Sequence, residues 1–323
     1  MRAPPPTAPT TAPPAVLLQG VEKAFGATRA LNGLDLSVGA GEIMGLVGPD
    51  GAGKTTTLRL AMGLLRPDAG RVTVLGRDPA RAGAAVKPLL GYMAQRFALY
   101  RDLTVRENLD FFADVFGVPA AERRERGARL LAFSGLEAYG RRRAEQLSGG
   151  MQKKLALACT LVHQPRLLFL DEPTTGVDPL SRRELWDILT ELHLQGVTIV
   201  VSTPYMDEAE RCSRVGLMVA GRLVRCAAPA ALRAAVPGVL WEVRAAAPRA
   251  ARLVLQALPH VYEVQVYGDR LHVFVEEAAW PRERLEAALR AASVDVLGLR
   301  RGRPRMEEAF LSLVRAATED GLP

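Results

Sequence analysis

An α/β fold built on a largely parallel sheet is what this sequence predicts, and three features predict it. Between Val16 and about Ala235, short apolar runs alternate with helix-patterned segments, the order that βαβ units require. Those runs, among them EIMGLVG at 42–48, RLLFLD at 166–171 and VTIVVST at 197–203, are apolar at successive positions, as strands covered on both faces must be. The chain is 323 residues long and 49% hydrophobic, enough for one large domain with a substantial core and a smaller companion.

Residues 1–15 come first, a Pro/Thr/Ala-rich stretch with almost nothing to bury, which predicts an extended, disordered tail. The main domain is expected over 16–235. Within it a helical insert is expected at about 97–146, where VRENLDFFADVFG and AERRERGARLLAFSGL read as amphipathic helices. Leu109, Phe112, Ala113 and Phe116 share one face of the first. Residues 236–323 read strand, helix, hairpin, helix, strand, with Gly268-Asp269 at the hairpin turn. That order predicts a small ferredoxin-like α/β sandwich, closed by the helix MEEAFLSLVRAA after Pro304. No catalytic constellation stands out in this unit; His260 and His272 are isolated in sequence and read as structural.

Composition excludes several classes. Cys159, Cys212 and Cys226 are odd in number and fit no ligand spacing, so neither a disulfide framework nor a zinc site is expected, and a reducing cytoplasm is the simplest compartment. No apolar run reaches the ~18 residues of a membrane helix, and the N-terminus lacks the apolar core of a secretory signal. The net charge of +7 comes overwhelmingly from arginine, the lysines being Lys23, Lys54, Lys87, Lys153 and Lys154. Spread along the chain without interleaved aromatics, this excess reads as compositional bias, and no nucleic-acid partner is expected.

The strongest local signal is GPDGAGKT, Gly48 to Thr55, directly after an apolar strand and before the helical TTLRLAMGLL. Strand, glycine-rich loop and helix are the context of a phosphate-binding loop. Its backbone N–H groups, from Gly48, Asp50, Gly51, Ala52 and Gly53 onward, turn toward phosphate oxygens at a helix N-terminus. Lys54 is placed to neutralise the β- and γ-phosphates, Thr55 to ligate Mg²⁺ and Thr56 to add a hydroxyl at the α- or β-phosphate. Such a loop alone leaves kinases, GTPases and many ATPases open.

RLLFLDEP ends a second buried strand in two carboxylates, at the sheet edge where open α/β folds bind ligands. Asp171 suits a Mg²⁺ contact, usually through water, and Glu172 suits a general base toward an attacking water. Between the two motifs stands LSGGMQKKL, Leu147 to Leu155, which by itself reads as Ser148 capping a helix whose buried face carries Met151, Leu155, Cys159 and Val162.

Together these three motifs, in this order, closely resemble the ATP-binding cassette (ABC) family over roughly residues 16–235. The resemblance implies a P-loop NTPase fold of the ABC type, with ATP and Mg²⁺ as cofactors. It implies that Phe25 stacks on adenine, that Gln95 links the Mg²⁺ and water site to the helical insert, and that Asp178 belongs to the loop communicating across a cassette dimer. It further implies a head-to-tail pair, in which Ser148, Gly149 and Gly150 face the partner's γ-phosphate and Ser148 completes the partner's catalytic set of Lys54, Gln95 and Glu172 type. The partner would be a second cassette, identical or not. GYMAQRFALYRDLTVRENL, YMDEAE and the C-terminal unit resemble ATPase subunits of ABC-2-type exporters, and Asp50 with TPYMDEAERC resembles the first cassette of bacterial tandem-cassette drug-efflux ATPases. Such a subunit works peripherally at the cytoplasmic face of the cell membrane, with a separate membrane-spanning subunit, exporting drugs, lipids or other small molecules. Soluble cassettes of translation or DNA repair fit less well, since they carry two cassettes or long coiled-coil inserts.

One departure is specific. The histidine that donates to the γ-phosphate in this family belongs at Pro204, in VSTPYMDEAERC. Proline has no side-chain donor, and its fixed φ suits a strand end and the first position of a helix. The expectation is ATP binding with slowed hydrolysis, either as an ATPase subunit or as a regulatory cassette that completes a partner's site. Ser202, Thr203 and Tyr205 are the candidates for a substitute hydroxyl.

Overall fold

The computed structural model describes residues 13–96 and 99–319. The chain opens with β1 (Val16–Phe25), β2 (Thr28–Val38), β3 (Ile43–Val47), α1 (Lys54–Ala61), β4 (Ala69–Val74), the single-turn α2 (Gly83–Val86) and β5 (Leu90–Met93). α3 (Val105–Val115), α4 (Ala120–Ser134) and α5 (Gly149–Leu161) follow, then β6 (Leu167–Asp171), α6 (Pro179–Leu194), β7 (Thr198–Thr203), α7 (Met206–Ala209), β8 (Arg214–Val219) and β9 (Arg222–Ala227). A contact boundary divides the chain at Pro229/Ala230.

In the first unit, a three-stranded antiparallel sheet runs β2-β1-β4, and a six-stranded sheet runs β5-β6-β7-β3-β8-β9, parallel except at β9. β3, β6 and β7 are buried at every position, which is why they lack the polar alternation of a half-exposed strand. Leu18, Leu34, Met44, Leu58 and Phe169 belong to one core joining the two sheets through α1; each such side chain removed from water contributes roughly 1.5–3 kcal/mol.

The helices between β5 and β6 have a separate core. Val105 and Leu109 of α3 meet Leu131 of α4 and Leu155, Ala158 and Cys159 of α5. Thr104 caps α3 through a reciprocal pair with Glu107, which satisfies two orphan N–H groups of its first turn. Ala113 is also buried, whereas Phe116 is 41% exposed and its ring stacks on His163 at 3.8 Å. The expected start of the insert at 97 lies outside the described residues, as do positions 1–12 of the expected tail.

Ala15 corrects that tail: it is buried, donates to Val38 O and accepts from Leu75 N, both at 2.8 Å. Sheet pairing thus begins one residue before β1. The expected start of the second unit at 236 also moves, to Ala230, so that most of the short helix before Val236 goes with the second unit.

The second unit contains α8 (Pro229–Ala234) for all but its first residue, then β10 (Val239–Ala245), α9 (Pro248–Gln256), β11 (Val261–Tyr267), β12 (Arg270–Val275), α10 (Arg282–Ala291), β13 (Val296–Arg301) and α11 (Met306–Glu319). Its antiparallel sheet runs β11-β12-β10-β13, the strand order of a ferredoxin-like βαββαβ unit. Gly268, at φ 60, makes the two-residue turn between Tyr267 and Arg270. Its histidines are paired rather than isolated: His260 meets Glu276 at 2.7 Å, and the buried His272 meets the buried Glu308.

Candidate functional site

β7 lies between β3 and β6, with Val47 beside Thr203 and Asp171 beside Ser202. The phosphate loop after β3 and the carboxylates ending β6 therefore flank the end of β7. All three strands point their carboxyl ends at one sheet edge, the usual binding edge of open parallel sheets.

The loop from Gly48 curls around Lys54. Gly53 has φ 99, where a Cβ would sit 2.6 Å from Ala30 O, and a Cβ on Gly48 would sit 2.1 Å from Met218 O; only glycine fits this close backbone approach. Lys54 is buried and its Nζ donates to Gly48 O at 2.7 Å and Pro49 O at 3.0 Å. Ala52 is buried, Asp50 and Gly51 are exposed at the tip, and Thr56, the third residue of α1, is half-buried.

Thr55 Oγ1 donates to Asp171 Oδ1 at 3.0 Å. Ser202 Oγ donates to the same oxygen at 2.7 Å and accepts from Glu172 N at 3.1 Å. Glu172 itself has φ 48, a left-handed backbone that costs a non-glycine residue on the order of 1–3 kcal/mol and persists only where its surroundings impose it. Its Oε2 accepts from Gln95 Nε2 at 2.8 Å and from Thr175 Oγ1 at 3.1 Å. The two neighbouring carboxylates therefore have separate donor sets: Thr55 and Ser202 for one, Gln95 and Thr175 for the other.

Two hard oxygens 3.0 Å apart at Thr55 and Asp171 match the spacing of adjacent ligands in an octahedron of about 2.1 Å radius. They fit Mg²⁺ held jointly by protein and phosphate. Among the described residues no group of three His, Cys, Asp or Glu could hold a metal without the nucleotide. Lys54, the inward loop and the N-terminus of α1 fit a polyphosphate.

The remaining sequence-derived residues lie apart from this cluster. Phe25 ends β1 with its ring 48% exposed, Lys23 Nζ lying 5.7 Å from its centroid; a half-exposed ring of this kind suits base stacking. Ser148 caps α5 by accepting from Met151 N at 3.3 Å. Ser148 and Gly149 are exposed, and Gly150 is buried against Ser181. Asp178 caps α6, accepting from Ser181 N at 2.9 Å, and that backbone hydrogen bond holds its carboxyl below the usual range. No hydrogen bond described joins Ser148 or Asp178 to Lys54, Asp171 or Glu172; Ser148 and Gly149 lie exposed at the start of α5.

Pro204 is exposed at a bend, not at the first helical position. α7 starts at Met206, after an extended Tyr205. The cause is local: Thr203 Oγ1 accepts from Tyr205 N at 3.1 Å and donates to the buried Glu208 at 2.6 Å. Arg182 lies 3.9 Å over the Tyr205 ring. Ser202 and Thr203 thus spend their hydroxyls on Asp171 and Glu208, and neither replaces the absent donor. Sequence reasoning missed Thr175, Glu208 and the double role of Ser202. Thr175 was visible only as a polar residue three positions after Glu172, and Ser202 only as a candidate substitute donor, not as the partner of Asp171 and of the Glu172 N–H.

A strand-borne phosphate loop facing a Thr–Asp pair defines a P-loop nucleotide-binding protein. The description "ABC transporter" fits residues 31–175. A probable multidrug ABC transporter ATP-binding protein of Escherichia coli, YbhF, is 42% identical over 306 residues, covering 94% of this chain and 52% of its own length. The daunorubicin resistance ATP-binding protein DrrA2 of Streptomyces coeruleorubidus is 37% identical, covering 95% of this chain and 97% of its own. The dimeric post-hydrolysis structure of the cassette MJ0796, bound to ADP and Pi, superposes with a TM-score of 0.60 at 28% identity, over 65% of this chain and 97% of that one. The chain spans about half the length of the first of these relatives and nearly all of the second. It belongs to the ATP-binding cassette family of ATPases.

Proposed function

We propose that this chain is the ATP-hydrolysing subunit of an ABC-2-type exporter. The observation that carries the reading is the separation of the two carboxylates: Asp171 shares its oxygen with Thr55, while Glu172 is aimed by Gln95 and Thr175. ATP would lie with its phosphates in the Gly48–Thr56 loop and its base on Phe25. Thr55, Asp171 and Gln95 would hold Mg²⁺, which would supply charge neutralisation at the phosphates. Glu172 would accept a proton from the attacking water, and Lys54 would offset charge that develops on the phosphoryl oxygens.

Ser148, Gly149 and Gly150 would face the γ-phosphate of a second cassette, with Asp178 at the same junction. The relatives' names, multidrug transport and daunorubicin resistance, support drugs or other small hydrophobic molecules as cargo. Among the described residues no helix is long and apolar enough to cross a membrane. A separate membrane-spanning subunit would supply the path, with this chain peripheral at the cytoplasmic face. The match to one part of YbhF supports likeness to one cassette of a tandem protein.

The absence of a donor at Pro204 favours a second reading, a regulatory cassette that binds ATP, hydrolyses little and completes a partner's site. Steady-state ATPase measurement with and without the membrane subunit separates the two. Turnover abolished by Glu172→Gln, with ATP affinity retained, is the expected result; tight ATP binding without turnover would replace the first reading by the second.

A further inference from the structure

In the first turns of α5, side chains pack into the helical region, cap the preceding loop or pair with α6. Met151 and Leu155 enter the apolar core of the helical region. Gln152 Nε2 donates to Ala144 O at 3.1 Å and Leu147 O at 3.2 Å, and Lys154 pairs with Glu184 at 2.7 Å. Lys153 instead reaches the nucleotide site, its Nζ donating to the backbone carbonyl of Gln95 at 3.0 Å. It is half-buried; burial pushes its ammonium down in pKa, and the charges of Glu172 and Asp171 oppose that push.

Gln95 is thereby held at both ends, its carbonyl by Lys153 and its amide against Glu172 Oε2 at 2.8 Å. Further along, Asn108 of α3 grips Tyr100, accepting from its N–H at 2.9 Å and donating to its carbonyl at 3.0 Å. The helical region thus holds Gln95 through α5 and Tyr100 through α3. A lysine in the second turn of a helix ordinarily keeps its ammonium in water. This one is turned onto a carbonyl in the field of two carboxylates.

We propose that Lys153 is a positioning residue for hydrolysis: it sets how Gln95 meets Glu172 and ties the helix that begins at Ser148 to the carboxylate of the same chain. The proposal rests on the reading of Glu172 as the base. Its physical content is one charge-assisted hydrogen bond acting through an identified intermediate rather than through an unspecified pathway.

The test uses the full chain with ATP and Mg²⁺, comparing Lys153→Met, Lys153→Arg, Gln95→Ala and the Lys153→Met/Gln95→Ala double variant. Lys153→Met should lower kcat about tenfold, the scale of one lost charge-assisted bond, with KM for ATP within about twofold. Lys153→Arg, which keeps donor and charge, should recover most of the rate. Because Lys153 acts through Gln95, the double variant should be no slower than Gln95→Ala alone. An equal loss in the Met and Arg variants, a loss that adds in full to that of Gln95→Ala, or a raised KM at unchanged kcat overturns the proposal. Hydrogen exchange provides a readout that needs no turnover: Lys153→Met should speed exchange over 92–96 and leave 155–161 unchanged. If the wild-type chain hydrolyses nothing, the reading of Glu172 fails by itself. The exchange comparison still decides Lys153, and unaltered exchange over 92–96 overturns it.

Discussion

Glu172 and Pro204 lie one step apart across adjoining strand ends and have opposite burdens. Glu172 is kept in a strained left-handed backbone at φ 48, with Ser202 holding its N–H and Gln95 and Thr175 holding its carboxylate. Pro204, beyond Thr203, offers neither a side-chain donor nor an N–H. The hydroxyls of Ser202 and Thr203 do not compensate, since Thr203 is committed to Glu208 and Ser202 to Asp171. One preorganised donor to a transition-state charge typically supplies 10²- to 10³-fold in rate. Pro204→His should therefore raise kcat, by up to about 10²-fold, while KM for ATP changes little, because the phosphate loop and Phe25 are untouched. Steady-state kinetics on the purified variant checks it; an unchanged kcat in a folded, ATP-binding variant would mean that another step limits the cycle. The exposed bend at Pro204 is already outside α7, so the substitution breaks no helix.

At the level of elements, α5 and α6 meet through a glycine that nothing in the motif's local pattern explained. A Cβ on Gly150 would lie 2.3 Å from Ser181 Oγ and 2.4 Å from Ser181 Cβ. Gly150→Ala should thus push the start of α5 from α6 and destabilise by about 1–3 kcal/mol, the usual cost of overpacking. Urea unfolding of Gly150→Ala, Ser181→Gly and their combination measures it, with partial recovery expected in the double variant because the clashing atoms are gone. The strands β3, β6 and β7 were legible as continuous apolar runs, and the ferredoxin-like order was legible because its turn and helix signals fall at regular intervals. The separate donor sets of Asp171 and Glu172 were not. They depend on β7 lying between β3 and β6, a strand order that no local pattern encodes. The first helical position assigned to Pro204 failed for a similar reason: the Thr203 hydroxyl captured the Tyr205 N–H and delayed α7 to Met206, a local competition for backbone donors. Ala15 was read as tail because a single alanine gives no periodicity.

For the whole molecule, burial sets an alkaline limit, and the proposed function makes a prediction about assembly. Burial, aided by the charge of Glu208, pushes the Cys212 thiol up to about 12 from an ordinary value of 9.0; burial pushes Cys159 the same way. A thiol that ionises more readily when unfolded favours unfolding above pH ~9, by at most about 1.4 kcal/mol per pH unit for each thiol. Tm should fall between pH 8.5 and 10.5, and less steeply in Cys212→Ala; parallel pH dependences would exclude this thiol as a cause. Assembly follows from the unequal state of the two surfaces. The Lys54–Asp171–Glu172 surface lacks its histidine, whereas the Ser148–Gly150 surface matches the family pattern. Alone, the chain should turn over slowly and lose that turnover on either Glu172→Gln or Ser148→Arg, because a self-pair has two equivalent composite sites. On the proposed function, the fast site opposite a second cassette that carries the histidine would use the partner's carboxylate and this chain's Ser148. Turnover of the mixed pair should then exceed that of the chain alone by about 10²-fold, collapse on Ser148→Arg and survive Glu172→Gln. Equal sensitivity of the mixed pair to both substitutions would show that this chain's own carboxylate does the work despite Pro204.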